Sequence, residues 1–265
     1  MPTSPLAPAS FPNLPSVKGV QLSVAASGMR YSGRDDLFFA LLNTGTTVGG
    51  VFTQSLCPSA PVEWCKNIIN RKSARALLCN AGNANAFTGN AGQAVVAKSA
   101  KSVSDLASLN PEDVFLASTG VIGEPFHPTI LTDHLPMLIG GLKSPNFELW
   151  KDAANAIRTT DTFPKGGYAK IGKTDAVVAG IAKGSGMIAP NMATMLAFVF
   201  TDMKVEQKLL QVATENAVNQ SFNCITVDSD TSTSDTVLTF ATGETGVSVE
   251  GHELEFQEAL NNVML

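Results

Sequence analysis

Residues 183–200 read KGSGMIAPNMATMLAFVF. A loop of Gly, Ser, Ala, Pro and Asn runs without a break into a short apolar strand, and Thr194 stands at the strand's first position. Small residues and Pro make turns, and a β-branched residue suits a strand start, so a structural account is available. A chemical account is available too. A hydroxyl at its free pKa is a weak nucleophile and needs a base beside it, and an N-terminal Thr carries that base as its own α-amine. An internal Thr reaches that state only when the bond before it breaks. Ala193–Thr194 would then be a self-cleavage junction. The hydroxyl attacks the Ala193 carbonyl, an ester forms, and water releases the new N-terminus. The small Ala193 leaves room for the attack, and Lys183, on a Gly-flanked loop, is a candidate for holding a substrate carboxylate.

Around this segment, short apolar runs bounded by turn residues predict further strands at Leu37–Leu42, Ala76–Cys79, Val114–Ser118 and Val237–Phe240. Periodic apolar positions predict helices over Ala94–Leu106, over Phe147–Ile157 after a Ser144-Pro145-Asn146 start signal, and over Glu206–Val218. Phe256, Ala259, Leu260, Val263 and Met264 recur at helical spacing, and the stripe still runs at Leu265 without a stop signal. Strands mixed with helices indicate an α/β or α+β layered domain.

Acyl chemistry at Thr194 also needs donors for a tetrahedral oxyanion. The best candidate is Ser118-Thr119-Gly120-Val121-Ile122-Gly123, where a strand running into Thr119-Gly120 exposes backbone N–H groups and a hydroxyl. A plain strand-terminal turn fits the same residues. Residues 167–174 satisfy the phosphate-loop pattern G-x-x-x-x-G-K-[ST]. That motif needs a strand before it and a helix after it. The β-branched Asp175–Ala182 predicts instead a hairpin around Gly172-Lys173. The Asp-rich loop Thr226–Thr233 lacks the Gly and the bidentate Glu of a calcium loop.

Composition narrows the classes. The chain has 265 residues, 44% hydrophobic and 15% charged, against about 25% charged in an average soluble protein. Its net charge of −5 carries no basic footprint for nucleic acid. The charge is unevenly placed: residues 1–193 carry 16 Lys+Arg and 12 Asp+Glu, and residues 194–265 carry 2 and 11. The 4 Cys show no CxxC and the 3 His no paired spacing, so neither a disulfide scaffold nor a metal cluster is expected, and the thiols read as buried or partly buried. No apolar run approaches about 18 residues, which argues against a membrane span. The first 17 residues hold no Lys or Arg, which argues against a leader peptide, and a cytoplasmic location is expected.

Taken together, GVFTQ, NAGNANAFTG, STGVIG, TTDTFPK, KGSGMIAPNMATMLAF and VDSDTSTSDTVL resemble the ornithine acetyltransferase family, bifunctional glutamate N-acetyltransferases of cyclic arginine biosynthesis. The resemblance runs from about Gly19 to about Gly243. It implies an α/β fold: a layered α/β sandwich distinct from classical N-terminal-nucleophile hydrolases, with a smaller C-terminal domain. It also implies self-cleavage before Thr194 into α and β chains, and an α2β2 heterotetramer. The implied reaction moves acetyl from N2-acetyl-L-ornithine to L-glutamate through an acetyl-Thr194 intermediate. Thr119 and Gly120 would form the oxyanion hole. Lys183, Thr194 and a Thr of the TTDT stretch, Thr160 in preference to Thr162, would contact substrate. No cofactor or metal is implied, and acetyl-CoA is a possible co-substrate.

The sequence departs from the family in two ways. Ser229 and Ser234 stand where the family usually has Gly and Asn. The family's GEGATK-type motif, whose Glu lines the substrate site, has no counterpart here, which predicts a C-terminally truncated chain. The expected division is a flexible lead-in over 1–18, the sandwich over 19–245 and the start of a further domain over 246–265. Three other readings remain: an inactive fragment, a Thr-dependent amidase or aminopeptidase, and the disfavoured phosphate-loop nucleotide binder.

Overall fold

Alternate residues of the central strands face two different cores, and this period of two sets the architecture. The computed structural model describes residues 3–5, 7–71, 73–187 and 195–265. One sheet contains β1 (Val20–Ala25), β2 (Leu37–Leu42), β4 (Ala76–Asn83) and β5 (Val114–Val121) in the order β1-β2-β4-β5. The other contains β3 (Thr47–Phe52), β6 (Lys165–Lys170), β7 (Val177–Lys183), β8 (Leu196–Thr201) and β9 (Thr236–Ala241) in the order β3-β9-β8-β7-β6. The pairs β4–β5 and β8–β9 are parallel and the rest antiparallel.

The sheets stack face to face. Phe38 of β2, Phe115 of β5, Ile181 of β7, Phe198 and Phe200 of β8 and Phe240 of β9 share the core between them. Phe38 stacks on Phe198, and Phe200 stacks on Phe240 with ring centroids 5.4 Å apart. The intervening residues point outward. Leu37, Phe39, Leu78 and Leu116 meet α2 (Gly89–Ala107), α3 (Thr129–Thr132) and α4 (Leu135–Gly140). Val178, Ala197, Val199 and Val237 meet α6 (Gln207–Gln220) and α7 (Glu253–Met264). The result is a helix–sheet–sheet–helix sandwich, the layered α/β class expected from the sequence. Helix α1 (Ala60–Ile68) packs on β5 and α2. At the side, α5 (Phe147–Ala156) inserts Trp150 into the core beside Phe200. The Asn146 side chain caps this helix by accepting from the Leu149 amide at 2.9 Å.

Several expectations change. Strand β4 continues past Cys79 to Asn83, and β5 past Ser118 to Val121, so NAGN and STGV are strand ends rather than loops. Small polar residues hid them, because they lack the bulk of a strand pattern. The lead-in expected to be flexible is packed from Phe11 onward. Phe11, Leu14 and Val17 are buried, and the Pro15 carbonyl accepts from the Trp150 indole at 2.9 Å. Cys65 and Cys79 are buried, whereas Cys57 and Cys224 are exposed. Residues 167–174 lie on the β6–β7 hairpin, with Lys165 opposite Ala182 and Lys170 opposite Val177. No helix among the described residues is long and apolar enough to cross a membrane.

Phe200 is wholly buried between Phe240 and Trp150, so Phe200→Ala should cost about 3–5 kcal/mol in a denaturant unfolding experiment. Lys173→Ala, in the hairpin turn, should stay within about 0.5 kcal/mol of the parent and leave no magnesium-ATP binding to be lost.

Candidate functional site

Thr119 and Lys183 occupy the last inward-facing positions of their strands. On β5, Thr119 follows Phe115 and Ala117, and on β7, Lys183 follows Ala179 and Ile181; all four apolar residues lie in the core between the sheets. The two polar residues therefore meet where that core ends. Lys183 Nζ donates to Thr119 Oγ1 at 3.0 Å. Lys183 is 1% exposed and Thr119 4% exposed. Lys183 is thus the end of a strand, and its ammonium is committed to the other sheet rather than swinging on a loop. A hydroxyl that accepts from an ammonium keeps its own proton to donate elsewhere.

Beyond Thr119, the backbone turns through Gly120 at φ +133. A Cβ there would lie 2.3 Å from the Gly82 carbonyl carbon and 2.6 Å from the Asn83 nitrogen. Only Gly fits, and the β4–β5 ladder shifts register at this point. Side-chain bonds lock both strand ends. Ser118 Oγ donates to Asn80 Oδ1 at 2.6 Å, Asn80 Nδ2 donates to the Asn83 carbonyl, and Asn83 Nδ2 donates to the Glu124 carbonyl. This network explains why NAGN and STGV belong together.

On the opposite sheet, Lys183 pairs with Leu196 at the start of β8, which lies beside Thr236 at the start of β9. Thr194 and Ala193, the proposed nucleophile and its cleavage partner, lie outside the described residues. Met195, next in the chain, is held at both backbone groups. Its N–H donates to Asp235 Oδ1 at 2.8 Å, and its carbonyl accepts from the Thr236 N–H at 3.0 Å.

Two buried acids flank the ammonium. Asp161 Oδ1 accepts from Lys165 Nζ at 2.5 Å and from the Gly184 N–H at 2.7 Å. Burial raises the Asp161 carboxyl, but those two bonds and the Lys165 and Lys183 charges hold it below the usual carboxylate range. Burial pushes Asp235 up to about 7, against weaker pulls from the Met195 amide, Ser232 and Lys183. Burial also lowers Lys183, opposed by Asp161 and Asp235. Cys79, buried beside the ammonium, is pushed far up and stays a neutral thiol. Asp161 and Asp235 were not singled out from sequence. The available signal was an acid set among small residues next to a strand, in TTDTFPK and STSDTVL.

A cavity of about 360 Å³ opens over the strand ends, lined by Thr119, Gly120, Thr160 and Ser232, and also by Arg30 and Tyr31. Thr160 Oγ1 lies 2.9 Å from Ser185 Oγ. Thr162, the alternative, is not among the described lining residues, and its hydroxyl accepts from the Ser4 N–H. Among the described residues, no group of three or more His, Cys, Asp or Glu is placed to hold a metal. The arrangement offers a hydroxyl donor, a Gly-shaped strand end and a buried cation, parts suited to stabilising an oxyanion.

Known proteins share this arrangement's sequence. The ArgJ family matches residues 21–265. The arginine biosynthesis bifunctional protein ArgJ of Nitrobacter winogradskyi is 51% identical over 249 residues, covering 92% of this chain and 59% of its own. That of Ruegeria pomeroyi is 51% identical over 266 residues, covering 99% and 64%. The chain therefore spans less than two thirds of the length of these relatives. Among solved structures, ornithine acetyltransferase from Mycobacterium tuberculosis, complexed with ornithine, matches at TM-score 0.59 and 29% identity over 66% of this chain and 92% of that one. The L-aminopeptidase D-Ala-esterase/amidase of Ochrobactrum anthropi matches at TM-score 0.57 and 8% identity over 97% and 87%, which shows a shared fold alone.

The raised Asp235 sets a pH dependence. Below the ordinary 3.8, folded and unfolded chains both hold the proton; between there and about 7 only the folded chain does. The stability from this group is therefore full below the ordinary value and is lost as pH rises to about 7. Asp235→Asn should remove that slope. Thermal midpoints followed across this range should show the variant gaining on the parent as pH rises, with a constant difference above.

Proposed function

The chain belongs to the ArgJ family, and we propose that it carries the nucleophile and oxyanion hole of a glutamate N-acetyltransferase of the self-cleaving type. The observation that carries the reading is the buried Lys183–Thr119 bond beside Gly120, at the end of the sandwich where β8 begins next to Thr194. In this proposal the Thr194 hydroxyl attacks the acetyl carbonyl of N2-acetylornithine, and the α-amine of Thr194 takes the hydroxyl proton. The Thr119 hydroxyl and the Gly120 N–H receive the developing oxyanion. The C–N bond breaks, the α-ammonium gives its proton to the departing ornithine amine, and an acetyl ester remains on Thr194. The glutamate amine then attacks that ester, and the Thr194 oxygen leaves with the proton that the amine gives up. Thr160 is the proposed substrate contact. Lys183, expected as a second contact, acts instead through its charge and through Thr119, to which its buried ammonium is bonded. The route uses no metal or cofactor. Acetyl-CoA presents the same carbonyl as a thioester and is proposed only as an alternative donor.

Cleavage before Thr194 would separate β8 and β9 from the strands that flank them. Sheet order places these two between β3 on one side and β7 on the other, all joined by ladders. Sheet hydrogen bonds and the shared aromatic core would keep the pieces together, aided by their opposite charge balance. An α2β2 assembly is part of this proposal. So is a cytoplasmic location, which the exposed free thiols of Cys57 and Cys224 support, since reducing compartments keep such thiols unpaired.

The test is an assay of acetyl transfer from N2-acetylornithine to glutamate. Thr194→Ala should abolish it, and Thr119→Ala should lower kcat about 10²–10³-fold, as the loss of one oxyanion donor does. Hydrolysis of acetylornithine at the same rate with and without glutamate would favour an amidase instead. On the cleaved protein, the two pieces should co-elute in native buffer and separate only in denaturant.

A further inference from the structure

Asp235 plays no part in the acyl-transfer steps above, yet it is wholly buried at the edge of the site. It is the residue just before β9, and its own carbonyl accepts from the Thr53 N–H at 3.0 Å, which fixes its backbone against the residue that follows β3. Its Oδ1 takes the Met195 N–H, and its Oδ2 has no hydrogen-bond partner among the described residues. A wholly buried acid that takes one backbone N–H from another segment uses a scarce buried polar group to fix that segment, and such groups concentrate at functional sites. What is held is informative too. The Met195 amide is the peptide link to residue 194, and Thr236 fixes the other side of Met195.

We propose that Asp235 is a positioning residue for Thr194: its Oδ1 clamps the Met195 amide, the peptide link to residue 194, and so fixes where the chain enters β8. This rests on the reading of Thr194 as nucleophile and deepens it. The clamp acts before any substrate arrives, so it governs self-cleavage as well as acetyl transfer. It acts through backbone placement, so its loss should lower kcat and leave KM for acetylornithine near the parent value.

The test uses the full chain with Asp235→Ala and Asp235→Asn, in two measurements. The first is hydrogen exchange at the Met195 amide. The second is the rate of cleavage before Thr194, followed by intact mass. Removing this buried hydrogen bond should speed exchange about tenfold, and slow cleavage by a similar factor, in D235A. The amide oxygen of D235N should restore both to within about threefold of the parent, since it can make the same bond. If D235A does not fold, Asp235→Glu, which moves the acceptor by one methylene, takes its place with the same expectation. Unchanged exchange and cleavage in D235A would overturn the clamp, as would a D235N variant that loses as much as D235A. A parent chain that never cleaves would overturn the nucleophile reading instead, and the exchange measurement would still decide the clamp.

Discussion

The buried bond from Lys183 to Thr119 joins the two sheets at the one end of their shared core where side chains become polar. Taking an ammonium out of water costs several kcal/mol unless other groups compensate. Here a hydroxyl bond and two nearby carboxylates do so, and each places a constraint on its own segment. Thr119 ties the end of β5. Asp161 ties the segment before β6 through Lys165 and the Gly184 N–H. Asp235 ties the start of β8. The cation thus organises segments far apart in the chain around one point, and the cavity opens beside its partner Thr119.

The sandwich gives those segments their precision. Phe198 stacked on Phe38 of β2, and Phe200 stacked on Phe240, anchor β8 and β9 within the core. Their first residues are therefore positioned by rigid strands rather than by loops. The same packing would hold β8 in the sheet if the chain were cut before it, as the proposed self-cleavage requires. A strand held by ladders on both sides and by ring contacts beneath needs no covalent link to its predecessor.

Much of this was legible in the sequence, for identifiable reasons. Strand β2 was readable to the residue because LFFALL is a dense apolar run between turns. The C-terminal and α5 helices announced themselves by periodicity and by the Asn146 cap. Thr119, Gly120 and Thr160 were reachable through their motifs, and the structure places all three on one cavity. The ends of β4 and β5 were not legible, because Asn, Gly, Ser and Thr look like turn residues until cross-strand bonds such as Ser118 to Asn80 are seen. Nor were Asp161 and Asp235. Burial of a single acid is a tertiary property, invisible to local pattern. The packing of the lead-in is hidden for a similar reason: Phe11, Leu14 and Val17 recur every third residue among prolines, a spacing of neither strand nor helix, yet each finds the core.

The central claim is that acetyl passes through the Thr194 hydroxyl, with Thr119 and Gly120 as the proposed oxyanion site. The most direct measurement mixes the protein with acetylornithine alone, quenches it in acid and maps the peptides by mass spectrometry. The account predicts a peptide that begins at Thr194 and carries one acetyl group as a hydroxylamine-sensitive ester, which disappears when glutamate is added before the quench. Transfer to glutamate at full rate with no acetyl on Thr194, or by a chain still joined at Ala193–Thr194, would contradict it.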